Sequence, residues 1–377
     1  VIIHTLPRRD TQRYQLLELI ALSGDFPAEL LSRLPGGSTY KESVVKSLKR
    51  EGLIRTFYRD HLRTYRLTAK AKAQLMAEQP DRFAFYLEGN SDTNLLKGEI
   101  TRRLRLYQIA AVYVNMKLAD IRIFRDLKPE VFSPSGSPVC HIEEPAFYSS
   151  REVKDLGMEA AKIRGSRMAG VLLAPSGIFP VYNSGSSLTR WENRSELRVK
   201  ALLQMELCQR RLHRQYQMDD VRALLFGDSM ELAYELLVGG REKKQNYFIL
   251  DGNYEHFYYL TNNQHGETLL RLLCNPSMTA ELNRILAQGF REQIPDWHIE
   301  NDAIDRNGEP VLFGYFFDLP RIARFNAALG LQDKGGTLVC FDFQYDVLHR
   351  YCTPSICFQT IDFTKFNRRF FPSENIN

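Results

Sequence analysis

The chain has 377 residues, of which 44% are hydrophobic and 25% charged, and its 50 Lys and Arg against 45 Asp and Glu give a net charge of +5. At ~100–200 residues per domain that length predicts two or three domains, and the near-average composition excludes disorder, collagen and coiled coil as the main architecture. No apolar run reaches the ~18 residues of a spanning helix, Val1 to Arg9 lacks a secretory leader's apolar stretch, and six scattered cysteines make no disulfide framework, so a cytoplasmic protein without membrane contact is expected.

The charge is unevenly placed. Lys41 to Lys72 holds ten basic and three acidic residues, and Lys97 to Lys128 holds eight basic and three acidic ones. Residues 1–128 therefore carry +9 and the remainder −4. A localised basic block is the electrostatic footprint of a phosphate-backbone binder, although a solvated helix face carries the same signature.

In chain order, Asp10 and Thr11 offer N-cap chemistry to a helix with Tyr14, Leu16, Leu17, Leu19 and Ile20 at helical spacing, closed by Gly24. Pro27 starts a short second helix carrying Leu30, Leu31 and Leu34, which Pro35-Gly36-Gly37 stops. Ser38 or Thr39 caps a third, running to about Glu51, with Val44, Val45 and Leu48 inward and Lys41, Lys46, Lys49 and Arg50 outward. Gly52 ends it. Two alternating runs, Leu53 to Tyr58 and Leu62 to Leu67, form a hairpin around Arg59-Asp60, and Thr68 caps a fourth helix over Ala69 to Ala77.

Three short helices, the last basic, followed by a basic hairpin make the order of a winged helix-turn-helix over residues 8–80. In that arrangement Tyr40, Lys41, Ser43, Lys46 and Ser47 face the major groove, with Lys49 and Arg50 beside them. Arg55, Arg59, Arg63 and Arg66 serve the wing on the phosphates. Residues 94–128 read as a basic connecting helix, with Leu96, Ile100, Leu104, Tyr107, Ala111, Val114 and Leu118 at three- and four-residue steps. It is a candidate homodimer seam, and its Arg102, Arg103 and Arg105 would extend the phosphate track. Lys128-Pro129 and the stretch Ser133 to Pro138 mark a domain boundary.

Residues 140–377 alternate strands and helices. Met168 to Leu173 and Ile178 to Tyr182 form one hairpin and Tyr247 to Leu250 with His256 to Leu260 a second, while Ser195 to Leu212, Glu267 to Leu273 and Thr279 to Gln288 are helical. Val311 to Phe316, helix Leu319 to Leu329 and strand Thr337 to Phe343 complete the series. The hairpin-then-helix order recurs at a spacing near 78 residues, without matching residue identities. The fold class is α+β: a winged helix-turn-helix, a basic helical connector and an α/β domain with a mixed sheet, possessing one or two subdomains, for self-association or partner contact.

Three strings carry a family resemblance. Leu16-Leu17-Glu18-Leu19, Leu48-Lys49-Arg50-Glu51-Gly52-Leu53-Ile54-Arg55 and Tyr65-Arg66-Leu67-Thr68 resemble the N-terminal winged helix of the replication-relaxation proteins of plasmids and integrative conjugative elements. Arg164 to Val171 and Arg190-Trp191-Glu192 look like the second domain of mobile-element accessory proteins. The resemblance implies a role in plasmid or element DNA processing, beside a relaxase or replication initiator.

Catalytic readings find little footing. The nearest string to a relaxase's metal-binding histidine pair, His256-Phe257-Tyr258-Tyr259, lacks the second His. Glu152-Val153-Lys154 has the form of a nuclease triplet but reads as surface charge pairing, and Glu196 with Lys200 reads as a helical ion pair. No phosphate loop or nucleophile elbow occurs. Cys340, His349, Cys352 and Cys357 are spaced like no common zinc knuckle, and Cys340 reads as a buried strand residue. The tyrosines and phenylalanines at 247, 248, 254, 257, 258 and 259 suit strand packing better than base stacking.

A non-enzymatic, cofactor-free and metal-free binder of double-stranded DNA is thus expected. The alternatives are a repressor with a ligand-sensing C-terminal domain, a divergent restriction-endonuclease-like nuclease, and a winged domain that docks protein.

Overall fold

Thr11 opens the first helix by accepting a hydrogen bond from the Tyr14 N–H, and Gly24 closes it at φ 71° with its N–H on the Ile20 carbonyl. The structure, a computed structural model, describes residues 6–88, 100–132, 141–153, 166–188, 191–239, 253–291 and 299–372. The chain divides into two compact units between Pro129 and Glu130, and both are mixtures of helix and strand.

In the first unit, α1 (Gln12–Ser23) is buried over most of its length, Glu18 included. Strand β1 (Phe26–Pro27) follows, then a 3-10 helix, Ala28–Arg33, where the sequence predicts an ordinary helix. Next come α2 (Ser38–Arg50), β2 (Ile54–Arg59), β3 (Leu62–Leu67), α3 (Ala69–Glu78), α4 (Pro80–Leu87) and α5 (Ile100–Leu118). Gly37, rather than Ser38 or Thr39, occupies the N-cap of α2. The strands form one antiparallel sheet in the order β1-β3-β2, with Pro27 on an edge strand, where its missing N–H breaks no interior ladder. The expected start of the connecting helix at 94–99 lies outside the described residues, as do Ser133 to Pro138. Arg82 of α4 ties the unit together, its guanidinium 2.7 Å from Glu18 of α1 and 2.8 Å from Asp126 beyond α5.

The second unit holds two mixed sheets. One runs β4-β5-β6-β7-β8 through Ala146–Ser149, Gly170–Ala174, Gly177–Gly185, Ala223–Gly227 and Phe257–Thr261; the first three strands are antiparallel and the last three parallel. The other runs β12-β11-β10-β9 through Ile356–Ile361, Gly336–Phe341, Pro310–Phe313 and Ala303–Ile304, parallel except for β9. Leu173, Leu225 and Tyr259 of the first sheet share a core with Leu312, Leu338 and Cys340 of the second.

His256 to Leu260 lies parallel to β7, with Leu225 opposite Tyr259. All five β8 residues are buried, and a strand covered on both faces takes a non-local parallel partner. Tyr247 to Leu250 lies outside the described residues. Among the described residues a longer order recurs. An antiparallel pair, helix, parallel strand, helix, parallel strand and helix run from β5 to Gln264–Cys274, and again from β9 to Phe363–Phe370. Ser195 to Leu212 is an α-helix, Asn193–Leu203, continued by a π-helical stretch, Gln204–Arg211.

Candidate nucleic-acid interface

Helix α2 is the most strongly polarised element of the basic region. Val44, Val45 and Leu48 are buried, while Ser43, Lys46 and Arg50 follow one another at helical spacing on the exposed side and Tyr40 is half exposed. Beside it opens a groove of about 660 Å³, bounded by the 3-10 helix, α2 and β3. Lys41, Lys46, Lys49 and Arg63 line it, with Glu42 the single acidic residue among the lining side chains.

Each cation is held differently. Lys41 donates from Nζ to the Ser32 carbonyl at 2.8 Å, which joins the two helical walls. Lys46 stands 3.7 Å from Glu42 with both side chains open to solvent, a pairing worth little in water. The Lys49 ammonium lies 5.4 Å from the centre of the Tyr65 ring, and partial burial, with the Arg63 charge behind it, lowers its pKa below the ordinary lysine value. Ser43 donates to the Tyr40 carbonyl and Ser47 to the Glu51 carboxylate, which Arg13 also engages. Ser47 is therefore turned toward the α1 side and does not line the groove.

The hairpin divides its arginines between two faces. Tyr58 pairs with Arg63 and Thr56 with Tyr65, and this face turns to the groove. Arg55 pairs with Arg66, Phe57 with Thr64 and Arg59 with Leu62 on the opposite face. Arg55 and Arg59 are exposed there. Arg66 is not: at 1% exposure it forms a bidentate pair with buried Asp25, Nε to Oδ1 at 2.8 Å and Nη2 to Oδ2 at 3.0 Å, and its guanidinium covers the Phe57 ring. Arg103 of α5, equally buried, approaches the same carboxylate. Two of the arginines expected on the phosphates are thus interior groups, because a single buried Asp draws them inward. Arg102 is exposed and Arg105 half-buried on α5. Asp25 and Phe57 went unmarked in the sequence, and Tyr65 was marked only within a strand; the only local sign of Asp25 is its place between Gly24 and Phe26.

The chemistry-bearing candidates of the second unit are mostly internal. Glu152 is buried and accepts from the Ser149 N–H and hydroxyl, a local cap instead of surface pairing, while Lys154 lies outside the described residues. Glu196 is buried and takes hydrogen bonds from Tyr182 Oη at 2.7 Å, Ser166 Oγ at 3.0 Å and the Arg167 N–H at 2.9 Å. Burial raises its pKa above the ordinary Glu value. Lys200 reaches the Asn253 carbonyl instead of Glu196. Tyr254, Phe257, Tyr258 and Tyr259 are all buried, so none presents a face to a base, and Tyr247 and Phe248 lie outside the described residues. Cys340 is buried, Cys357 and His349 are exposed, and among the described residues no group of three His, Cys, Asp or Glu is placed to hold a metal ion. Among the described residues no helix is long and apolar enough to cross a membrane.

No protein-family model, curated protein or solved structure matches the chain. The residues themselves carry the functional reading.

Proposed function

We propose that residues 8–80 act as a winged helix-turn-helix that binds double-stranded DNA, with α2 as the groove helix and the β2-β3 hairpin as the wing. The observation that carries the reading is the convergence of Lys41, Lys46, Lys49 and Arg63, from a helix and a hairpin, on one groove. Cations drawn from two elements onto one surface suit a charged backbone better than scattered solvated charges do. Ser43, Lys46 and Arg50 stand outward on α2, where base edges and flanking phosphates would lie.

In this reading the chain is a non-enzymatic accessory protein of plasmid or conjugative-element replication or transfer. A relaxase or replication initiator is its partner, and the second unit serves self-association or partner contact. The resemblance of Leu48 to Arg55 and Tyr65 to Thr68 to replication-relaxation proteins supports that setting.

The test is titration of a duplex with the K46E/K49E variant at several salt concentrations. Reversing both charges lowers affinity for every sequence tried and makes log affinity fall less steeply with log salt, by about two in slope for two lost phosphate contacts. Wild-type affinity and slope in that variant would remove α2 from the interface.

A further inference from the structure

The hairpin turns on Asp60 and His61, both in the left-handed region at φ 52° and 60°. Two-residue turns of this hand favour glycine, which neither position has. The hairpin's neck is instead gripped from outside. Arg103, on α5, donates from Nη1 to the Arg59 carbonyl at 2.5 Å and from Nη2 to the Leu62 carbonyl at 3.2 Å. Arg59 and Leu62 are the last ladder pair before the turn, so one planar fork spans both strands where they meet. The guanidinium is sealed in place: the side chain is 1% exposed, its charge lies 4.9 Å from the Phe57 ring centre, and Nε is 3.5 Å from Asp25.

The grip and the groove lie on opposite faces of one sheet. Arg103 holds the hairpin behind Phe57, while Tyr58 and Arg63 stand on the face that turns to the groove. We propose that Arg103 is a positioning residue for the DNA site: it fixes the wing from behind so that Arg63 is presented beside Lys46 and Lys49, and it makes the placement of α5 a determinant of DNA affinity. This rests on the DNA-binding reading above.

The chemistry singles out arginine. A lysine ammonium carries its three donors on one atom and does not reproduce the planar fork by which two separate nitrogens meet the two carbonyls. Removing Arg103 also leaves Asp25 with its bidentate Arg66 partner, a balanced pair, so the sheet keeps its interior anchor.

The experiment uses the full chain carrying R103M or R103K, with two readouts: amide hydrogen exchange along residues 59–62, and duplex affinity across a salt series. Both variants are expected to exchange faster at the wing neck. Duplex affinity should fall about tenfold, with a salt slope shallower by about one, as for a lost phosphate contact. Adding R63A to R103M should then cost nothing more, although R63A alone weakens the wild type, since a released wing no longer delivers Arg63. Wild-type exchange at the neck in R103K or R103M overturns the proposal, and so does full additivity of R63A with R103M. Should the wild type show no salt-sensitive duplex binding, the DNA-binding reading fails. The exchange data then judge the grip alone, faster exchange upholding it and unchanged exchange overturning it.

Discussion

The two units handle polar side chains in opposite ways. In the first, cations from α2 and the hairpin crowd one open groove, and a single buried carboxylate, Asp25, serves two interior arginines. In the second, polar groups close on one another inside the core, as Glu196 does with Tyr182, and Tyr182 with Tyr254 at 3.2 Å. Excess charge at a surface is cheap in water and available to a ligand, whereas a buried polar group must be satisfied internally and is not. The difference teaches where to look for function: charge density alone did not separate Arg63 from Arg66, three residues apart on one strand, but burial did.

The sharpest way to break this contrast is D25N. Among the described residues it strips the one carboxylate that pairs with both Arg66 and Arg103, leaving two buried guanidinium charges without that counter-charge. Breaking a buried pair in this way costs about 3–5 kcal/mol. Urea unfolding of the full chain should show the first unit's transition move to lower denaturant and the second unit's stay in place. A common shift of both would mean that the Asp25 cluster is not confined to the first unit's stability.

A smaller effect probes the second unit. Because burial holds the Glu196 carboxyl above its ordinary pKa, the folded unit keeps a proton that the unfolded chain has released. Folding stability from this group is therefore highest below the unfolded value and declines as pH rises through the folded one. E196Q should flatten that decline in thermal midpoints measured from acid toward neutral pH, with duplex affinity unchanged. An unaltered pH profile would place the titration elsewhere.

The smallest effect returns to the groove. Lys49 has a lowered pKa, so its positive charge is lost earlier than other lysines' as pH rises. Under the proposed DNA binding, duplex affinity should begin to weaken on the neutral side of the ordinary lysine range, by a few-fold for one contact, and K49R should postpone that loss because guanidinium stays charged. Identical alkaline profiles for wild type and K49R would exclude Lys49 from the proposed phosphate contacts.

Much of the first unit was legible along the chain. The Thr11 and Thr68 caps, the Gly24 stop, the inward Val44, Val45 and Leu48, and both hairpin strands follow from local periodicity and capping chemistry. The split of the hairpin's arginines was not: with the turn placed around Arg59-Asp60 all four were assigned to the phosphates, and only the Arg59-Leu62 pairing, which moves the turn to Asp60-His61, sets Arg63 against Arg55, Arg59 and Arg66. The second unit was harder. β7, Ala223–Gly227, is a short apolar run that periodicity cannot tell from a helix segment, and β8 chose a parallel partner some thirty residues upstream.

By itself, then, the sequence determined that the basic charge belongs to the first third and that an amphipathic helix and a hairpin carry it. Only the tertiary structure decided which of those cations reach solvent. A lysine or arginine has the same local signature inside and outside; its fate depends on whether a distant carboxylate, carbonyl or ring is folded against it. Asp25, Phe57 and the hairpin's own carbonyls do that for Arg66 and Arg103, and leave Lys46, Lys49 and Arg63 at the groove.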